Sequence, residues 1–137
     1  MTENFALQLA RWHEFVAAPN AAILDELLAD DVKFHSPFVW KPKEGKASAT
    51  MILMTVTDVF QEFRYVREIL NDFHWMLEFE AQIGDFSLRG VDIIELNDEG
   101  KIVDFEVMIR PANALQMLGA EMNRRLTVQV NKLQNYR

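Results

Sequence analysis

Asp92 is the side chain best placed by its neighbours to do chemistry. It lies in Gly90 to Pro111, GVDIIELNDEGKIVDFEVMIRP, where two β-rich runs flank the polar turn cluster Asn97-Asp98-Glu99-Gly100. That pattern predicts a hairpin. Read with period two, Asp92, Ile94 and Leu96 share one face of the first strand, and Val91, Ile93 and Glu95 share the other. In the second strand Val103, Phe105, Val107 and Ile109 stand opposite Asp104, Glu106 and Met108. The apolar side is the buried one, and Asp92 on that side is a lone carboxylate on an apolar wall. Such a group is costly unless it is protonated, paired or put to use. In use, it would be a carboxyl of raised pKa that donates a hydrogen bond to a ligand oxygen or shuttles a proton. The competing reading is structural: an Asp bonded to backbone or to Trp12, with no ligand.

Other chemistries lack their residues. Cysteine is absent, which removes disulfides, thiolate nucleophiles and cysteine metal sites. His13, His35 and His74 form no HxxxH or similar spacing, so no metal site is expected, and no sequence motif calls for a cofactor. Ser36 has no local base and is not read as a nucleophile. A net charge of −7 opposes nucleic-acid binding, which needs concentrated Lys and Arg. The N-terminal MTENFALQLARWHEF mixes charge into its apolar pattern and lacks a signal-peptide core. No apolar run approaches the roughly 20 residues that span a bilayer. The expectation is a cytoplasmic protein with no membrane partner.

The elements that must position Asp92 follow from periodicity. Residues 1–137 read as one domain, with ten Phe and three Trp to fill a core and line a cavity. Phe5, Leu9, Trp12 and Val16 form one stripe of a helix from about Thr2 to Ala18, capped by Thr2 or Asn4 and closed by Pro19. Asn20 caps a short helix, AAILDELLA, with Asp25 and Glu26 toward its N-terminal end and Asp30-Asp31 as its stop. Val32, Phe34, Ser36 and Phe38 alternate as a short strand broken at Pro37, and Trp40 to Gly45 is a loop. A helix follows from Lys46 to Phe60, with Ile52 and Val56 on one side. Glu62 to Leu70 reads as a strand with Phe63, Tyr65 and Ile69 on one face. Phe73 to Ile83 is the longest alternation, with Trp75, Leu77, Phe79, Ala81 and Ile83 opposite His74, Met76, Glu78, Glu80 and Gln82. Gly84-Asp85 is a two-residue turn, and Phe86 to Leu96 runs back. Pro111 begins a last helix carrying Leu115, Leu118, Met122, Leu126, Val130 and Leu133. The order α-α-β-α-β-β-β-β-α belongs to the α+β class. A curved antiparallel sheet wrapped around the N-terminal helices would form a cone with a cavity inside.

RWHEFVAAPNAAILDELLADDVKFHSPFV, then Gly45, then VDIIELNDEGKIVDFEV, resembles the NTF2-like (SnoaL-like) superfamily of α+β cones. The resemblance covers about residues 5 to 118, with ADDVKFHSP and DIIELNDEGKIV as its most telling parts. RPANALQMLGAEM resembles uncharacterised bacterial members. The fold hosts enzymes, binders and structural modules. Against the ketosteroid isomerases, the resemblance puts Ser36 at the position of the general-base Asp, Trp12 at that of the oxyanion-hole Tyr, and Asp92 at that of the protonated Asp. Without a base at Ser36, proton abstraction beside a ketone loses its main agent, and a ketosteroid isomerase is not expected. Some superfamily dehydratases and lyases use an Asp–His pair, for which His74 is the partner to weigh although its parity points it away.

The resemblance turns Trp12, Phe34, Ser36, Ile52, Leu77, Phe79, Ala81, Ile83, Asp92, Ile94, Phe105, Val107 and Ile109 inward. The strand alternation gives the same faces. That cavity is mainly apolar, with Asp92, the Trp12 indole N–H and the Ser36 hydroxyl as its polar groups, the usual form of a small-molecule site. Two functions fit. One is a cone that binds a small hydrophobic, oxygen-bearing molecule, with acid–base chemistry such as isomerisation, cyclisation, dehydration or epoxide opening, Asp92 being the acid or oxygen anchor. The other is a non-catalytic dimeric interaction module. Relatives commonly dimerise through the convex sheet face, where Met76, Ile93, Met108 and Val91 stand among charged residues, so the resemblance implies a homodimer.

Overall fold

The computed structural model describes residues 3–135, and the side chains of residues 5–128. Its elements are α1 (Glu3–Ala17), α2 (Ala21–Leu27), β1 (Leu28–His35), β2 (Lys43–Glu44), α3 (Lys46–Val59), β3 (Gln61–Asn71), β4 (His74–Ile83), β5 (Phe86–Leu96), β6 (Ile102–Arg110) and α4 (Ala112–Asn135). The six strands form one sheet in the order β2-β1-β6-β5-β4-β3. All neighbours are antiparallel except β1 and β6, which run parallel. Helices early and a curved, unclosed sheet after them make the α+β cone.

In α1, Phe5 and Trp12 are buried, Leu9 and Val16 half-buried, and Phe15 joins the buried side. Thr2, expected as a cap, lies outside the described residues, and Asn4 falls inside the helix. Asn20 does cap α2, its side chain accepting from the Ala22 N–H at 2.8 Å. That helix ends at Leu27, before Asp30-Asp31, because Leu28, Ala29 and Val32 are needed in β1 against the core. Asp25 and Glu26 therefore sit in its last turn rather than near its favourable end. They are used in ion pairs instead: Arg11 donates to Glu26 at 2.8 Å, and Lys46 to Asp25 at 3.2 Å. β1 ends at His35, so Ser36 and Phe38 leave the sheet, and the expected loop after Trp40 contains the short edge strand β2.

β4 and β5 follow the alternation without exception. Trp75, Leu77, Phe79, Ala81 and Ile83 are buried, as are Leu88, Gly90, Asp92, Ile94 and Leu96. Bulges break parity elsewhere. Between Tyr65 and Arg67 the register of β3 on β4 shifts, which turns the rest of β3 over. Ile69 then pairs with Met76 on the convex side and is 57% exposed, while Glu68 turns toward α1 and meets His13 at 2.7 Å. A second shift, between Glu95 and Leu96, buries Ile102 where Val103 was expected. Gly90 has no room for a side chain: an added Cβ would come within 2.5 Å of the Phe79 ring and 2.7 Å of the Met108 carbonyl. The Phe79 ring fills the space a side chain would need.

α4 lies across the concave side. Pro111 precedes it and its carbonyl accepts from the Leu115 N–H at 3.0 Å. Ala114, Leu118 and Met122 are buried and Leu126 packs beside them. Val130 and Leu133 have side chains outside the described set. Among the described residues no helix is long and apolar enough to cross a membrane.

Candidate functional site

Between the concave sheet, α3 and α4 lies a cavity of about 590 Å³. Its wall is apolar, with aromatic rings in contact. Phe34 stacks on Phe105 at 5.4 Å between centroids, Trp12 meets Phe105 at 5.3 Å, and Phe63 meets Tyr65 edge-on at 5.1 Å. Eight of the residues expected inward line this space: Trp12, Phe34, Ser36, Ile52, Asp92, Phe105, Val107 and Ile109; Leu118 of the last helix joins them. Leu77, Phe79, Ala81, Ile83 and Ile94 do not. They point to the same side but are packed beneath other side chains, because Phe63 and Tyr65 of β3 and the face of α4 cover them.

Asp92 lies at the inner end, 6% exposed on a strand whose inward neighbours are Gly90 and Ile94. Its Oδ2 accepts a hydrogen bond from the Tyr65 hydroxyl at 2.6 Å, and that hydroxyl in turn accepts from the Trp12 indole N–H at 2.9 Å. The other carboxyl oxygen has no partner among the described residues. Burial pushes the Asp92 carboxyl up from 3.8 to about 7, against the smaller opposing effect of the Tyr65 hydrogen bond. Tyr65 is held well above 10, by burial first and then by the neighbouring carboxylate charge, so it stays a phenol. Asp92 is thus a carboxyl that can hold its proton near neutral pH. Its one unpartnered oxygen belongs to the cavity wall.

Tyr65 is the residue sequence reasoning missed. The strand pattern puts it on one face with Phe63 and Ile69 and gives its hydroxyl no role. A buried Tyr usually finds a partner for its hydroxyl, and a buried Asp needs a donor. Two such needs on facing walls were the available signal. The Trp12 N–H, expected as a free polar group of the cavity, is instead spent on Tyr65. Ser36 lines the cavity near its mouth, where its hydroxyl accepts from the Phe38 N–H at 3.3 Å. His74 is exposed on the far side of β4, with Glu95 at 3.9 Å, and does not reach Asp92. His35 bonds Asp104 at 2.9 Å outside the cavity. Among the described residues, no three His, Asp or Glu side chains converge as a metal-binding group. The Asp92 carboxyl is also the sole acidic side chain in the described cavity wall.

Fold and site together define a class: an α+β cone whose concave side holds an apolar cavity with one buried carboxyl. Comparison with solved structures agrees on the fold. The chain is similar to a steroid delta-isomerase from Pseudomonas aeruginosa, with 42% identity over 96% of this chain and 97% of that one, and a TM-score of 0.91. It is similar to an uncharacterised bacterial protein with a cystatin-like fold from Silicibacter pomeroyi DSS-3, at 37% identity over 93% and 90% of the two chains, TM-score 0.87. An NTF2-like protein of unknown function from Mesorhizobium loti shares the fold at 16% identity, over 80% and 93%, TM-score 0.70. No family model and no curated protein matches. The chain belongs to the NTF2-like (SnoaL-like) superfamily.

Proposed function

We propose that this chain is a single-domain, cytoplasmic binder of a small hydrophobic molecule bearing an oxygen, and that it does isomerase-type acid–base chemistry on that molecule. The observation that carries the reading is the Asp92 carboxyl, fixed through one oxygen by Tyr65 and bordering a 590 Å³ apolar cavity. A volume of this size is within the range of small-molecule sites, and a few polar groups in an apolar wall are their usual composition. The neutral carboxyl donates a hydrogen bond to the ligand oxygen. As charge develops on that oxygen, the hydrogen bond strengthens, because the surrounding wall excludes water. Tyr65 orients the acid, and Trp12 orients Tyr65.

The steroid delta-isomerase similarity supports an isomerase-type reaction. Asp92 is the acid in that reaction. The described cavity wall holds no second carboxylate or imidazole to serve as base, so the reactions favoured are those in which a single acid polarises or protonates oxygen, or in which Asp92 itself carries the proton between two sites. A thermal-shift screen of ketones, phenols, epoxides and fatty acids tests the reading. A ligand at 100 times its dissociation constant adds about 2.7 kcal/mol, a shift of several degrees. An oxygen-bearing ligand should shift wild type and shift Asp92→Asn less. If no class of compound moves wild type, the binding reading fails.

A dimer interaction module is the second reading, and the convex face favours it. Ile69, Met76 and Met108 are 57%, 42% and 50% exposed and adjoin Val91, within a rim containing Arg67, Glu78 and Arg89. Apolar residues grouped inside a charged rim are the usual form of an interface. Sedimentation of wild type and Met76→Glu tests this: the wild type should sediment as a dimer and the variant as a monomer.

A further inference from the structure

The cavity has ionisable side chains at two places, Asp92 and Lys43, and the second one is unused by the chemistry above. Its described lining holds one ammonium side chain, Lys43, and one carboxyl, Asp92, while Tyr65 stays a phenol. Lys43 stands on edge strand β2, directly across from Phe34, while the next residue, Glu44, stands across from Lys33. Strand pairing puts paired residues on the same face. Lys43 therefore shares the cavity face with buried Phe34, and Glu44 projects from the opposite face with exposed Lys33. Lys43 makes no ion pair among the described residues, although Lys46, Arg11 and Arg125 of the same fold each have a carboxylate partner. Ser36, Pro37, Phe38 and Val39 line the same cavity. None of them is acidic.

An unpaired ammonium beside an apolar wall is suited to one kind of occupant. Its methylene stem can lie along the apolar rim while the charged head stays at the water boundary. From there it can meet an anion whose apolar body is inside. A strongly acidic protein, at net −7, otherwise repels an anion, so a local cation at the mouth decides whether one can approach.

We propose that the ligand is an amphipathic monoanion: an apolar body carrying an oxygen at the inner end, for Asp92, and an anionic head at the outer end, for Lys43. This rests on the ligand-binding reading of the cavity given above and narrows it. The cavity sets the scale of the body. At about 30 Å³ per heavy atom, the share of a water molecule in the liquid, the volume of about 590 Å³ takes on the order of 20 non-hydrogen atoms. Lys43 contributes affinity and orientation, not proton transfer, and acts at the solvent boundary, so its contribution weakens with salt.

The test uses two matched probe series: para-alkylphenols of increasing chain length, and the same phenols ending in a carboxylate. Binding of each is measured by calorimetry to wild type, Lys43→Met and Asp92→Asn, at low and high salt. At one chain length or more, the carboxylate should bind wild type about five-fold tighter than its neutral match, the size expected of a solvent-exposed ion pair worth about 1 kcal/mol. That advantage should vanish in Lys43→Met and shrink at high salt. Asp92→Asn should weaken both series alike and leave the carboxylate's advantage intact. If neutral phenols bind and the carboxylates never bind tighter, or if the advantage survives Lys43→Met, the anion proposal is overturned while the cavity reading stands. If neither series binds, the cavity reading falls and takes this proposal with it. Lys43 is exposed on a two-residue edge strand, so its replacement by Met should leave the melting temperature of the unliganded protein in place, and this control separates lost binding from lost folding.

Discussion

Replacing Asp92 by Asn should change how stability depends on pH. Asp92 is buried, and burial raises its carboxyl from 3.8 to about 7 in the folded chain. In the unfolded chain it returns to the ordinary value. Between these two, the folded state holds a proton that the unfolded state has released, so stability falls as pH rises. The contribution is fully present below about pH 4, is lost progressively as pH rises through about 7, and is constant above that. At about 1.4 kcal/mol per pH unit, a rise from 3.8 to about 7 corresponds to a loss of about 4 kcal/mol across that window. Asn has nearly the shape of Asp and cannot ionise, so subtracting its unfolding free energy from that of wild type isolates the Asp92 contribution. Urea unfolding of both proteins from pH 4 to pH 8 gives the difference curve. Wild type should lose ground steadily to Asp92→Asn between pH 5 and pH 7.5. A flat difference curve over that range would show that Asp92 titrates at its ordinary value, and the argument for a neutral acid at the inner end of the cavity would be wrong.

Other predictions follow from the same contacts. Tyr65→Phe removes the donor to Asp92 and the acceptor of the Trp12 N–H. It should cost about 1–3 kcal/mol by leaving a buried polar group without its partner, and should move the midpoint of the difference curve to higher pH, since Tyr65 is what lowers the Asp92 value. Asp92→Leu should stabilise the chain at pH 8, where the carboxylate is most costly, and should abolish any shift produced by an oxygen-bearing ligand; thermal melts with and without ligand read both effects. Gly90→Ala would drive a methyl into the Phe79 ring and the Met108 carbonyl, and should cost about 1–3 kcal/mol by overpacking, read as a lower urea midpoint with an unchanged slope. Asn20→Ala deletes the α2 cap and should cost about 1 kcal/mol by the same assay.

Alternation in β4 and β5 is enough to turn Asp92 inward, because period-two burial is a local property of a strand that is half covered. The same local logic gave the Asn20 cap, the turns at Gly84 and Gly100, and the order of the elements apart from the short edge strand β2. The expectation was an antiparallel sheet; the parallel pairing of β1 with β6, across more than sixty residues of chain, makes it mixed, and no local signal marks that pair.

Where local logic stopped, long-range packing took over. The bulge after Tyr65 reversed the parity of Ile69 and Glu68, and nothing in that strand's own residues announces it, since a bulge is fixed by how the strand meets β4. Phe79 and Ile94 were legible as inward, yet whether an inward side chain touches a cavity or lies beneath another depends on what covers it, which here is β3 and α4. The Trp12–Tyr65–Asp92 chain joins residues 53 and 27 positions apart. By itself the sequence determined that a carboxyl would be buried on an apolar strand face, because a two-residue period is written in neighbouring residues. Only the tertiary structure decided that Tyr65 would hold it and that a cavity would open beside it, because both depend on which distant surfaces meet.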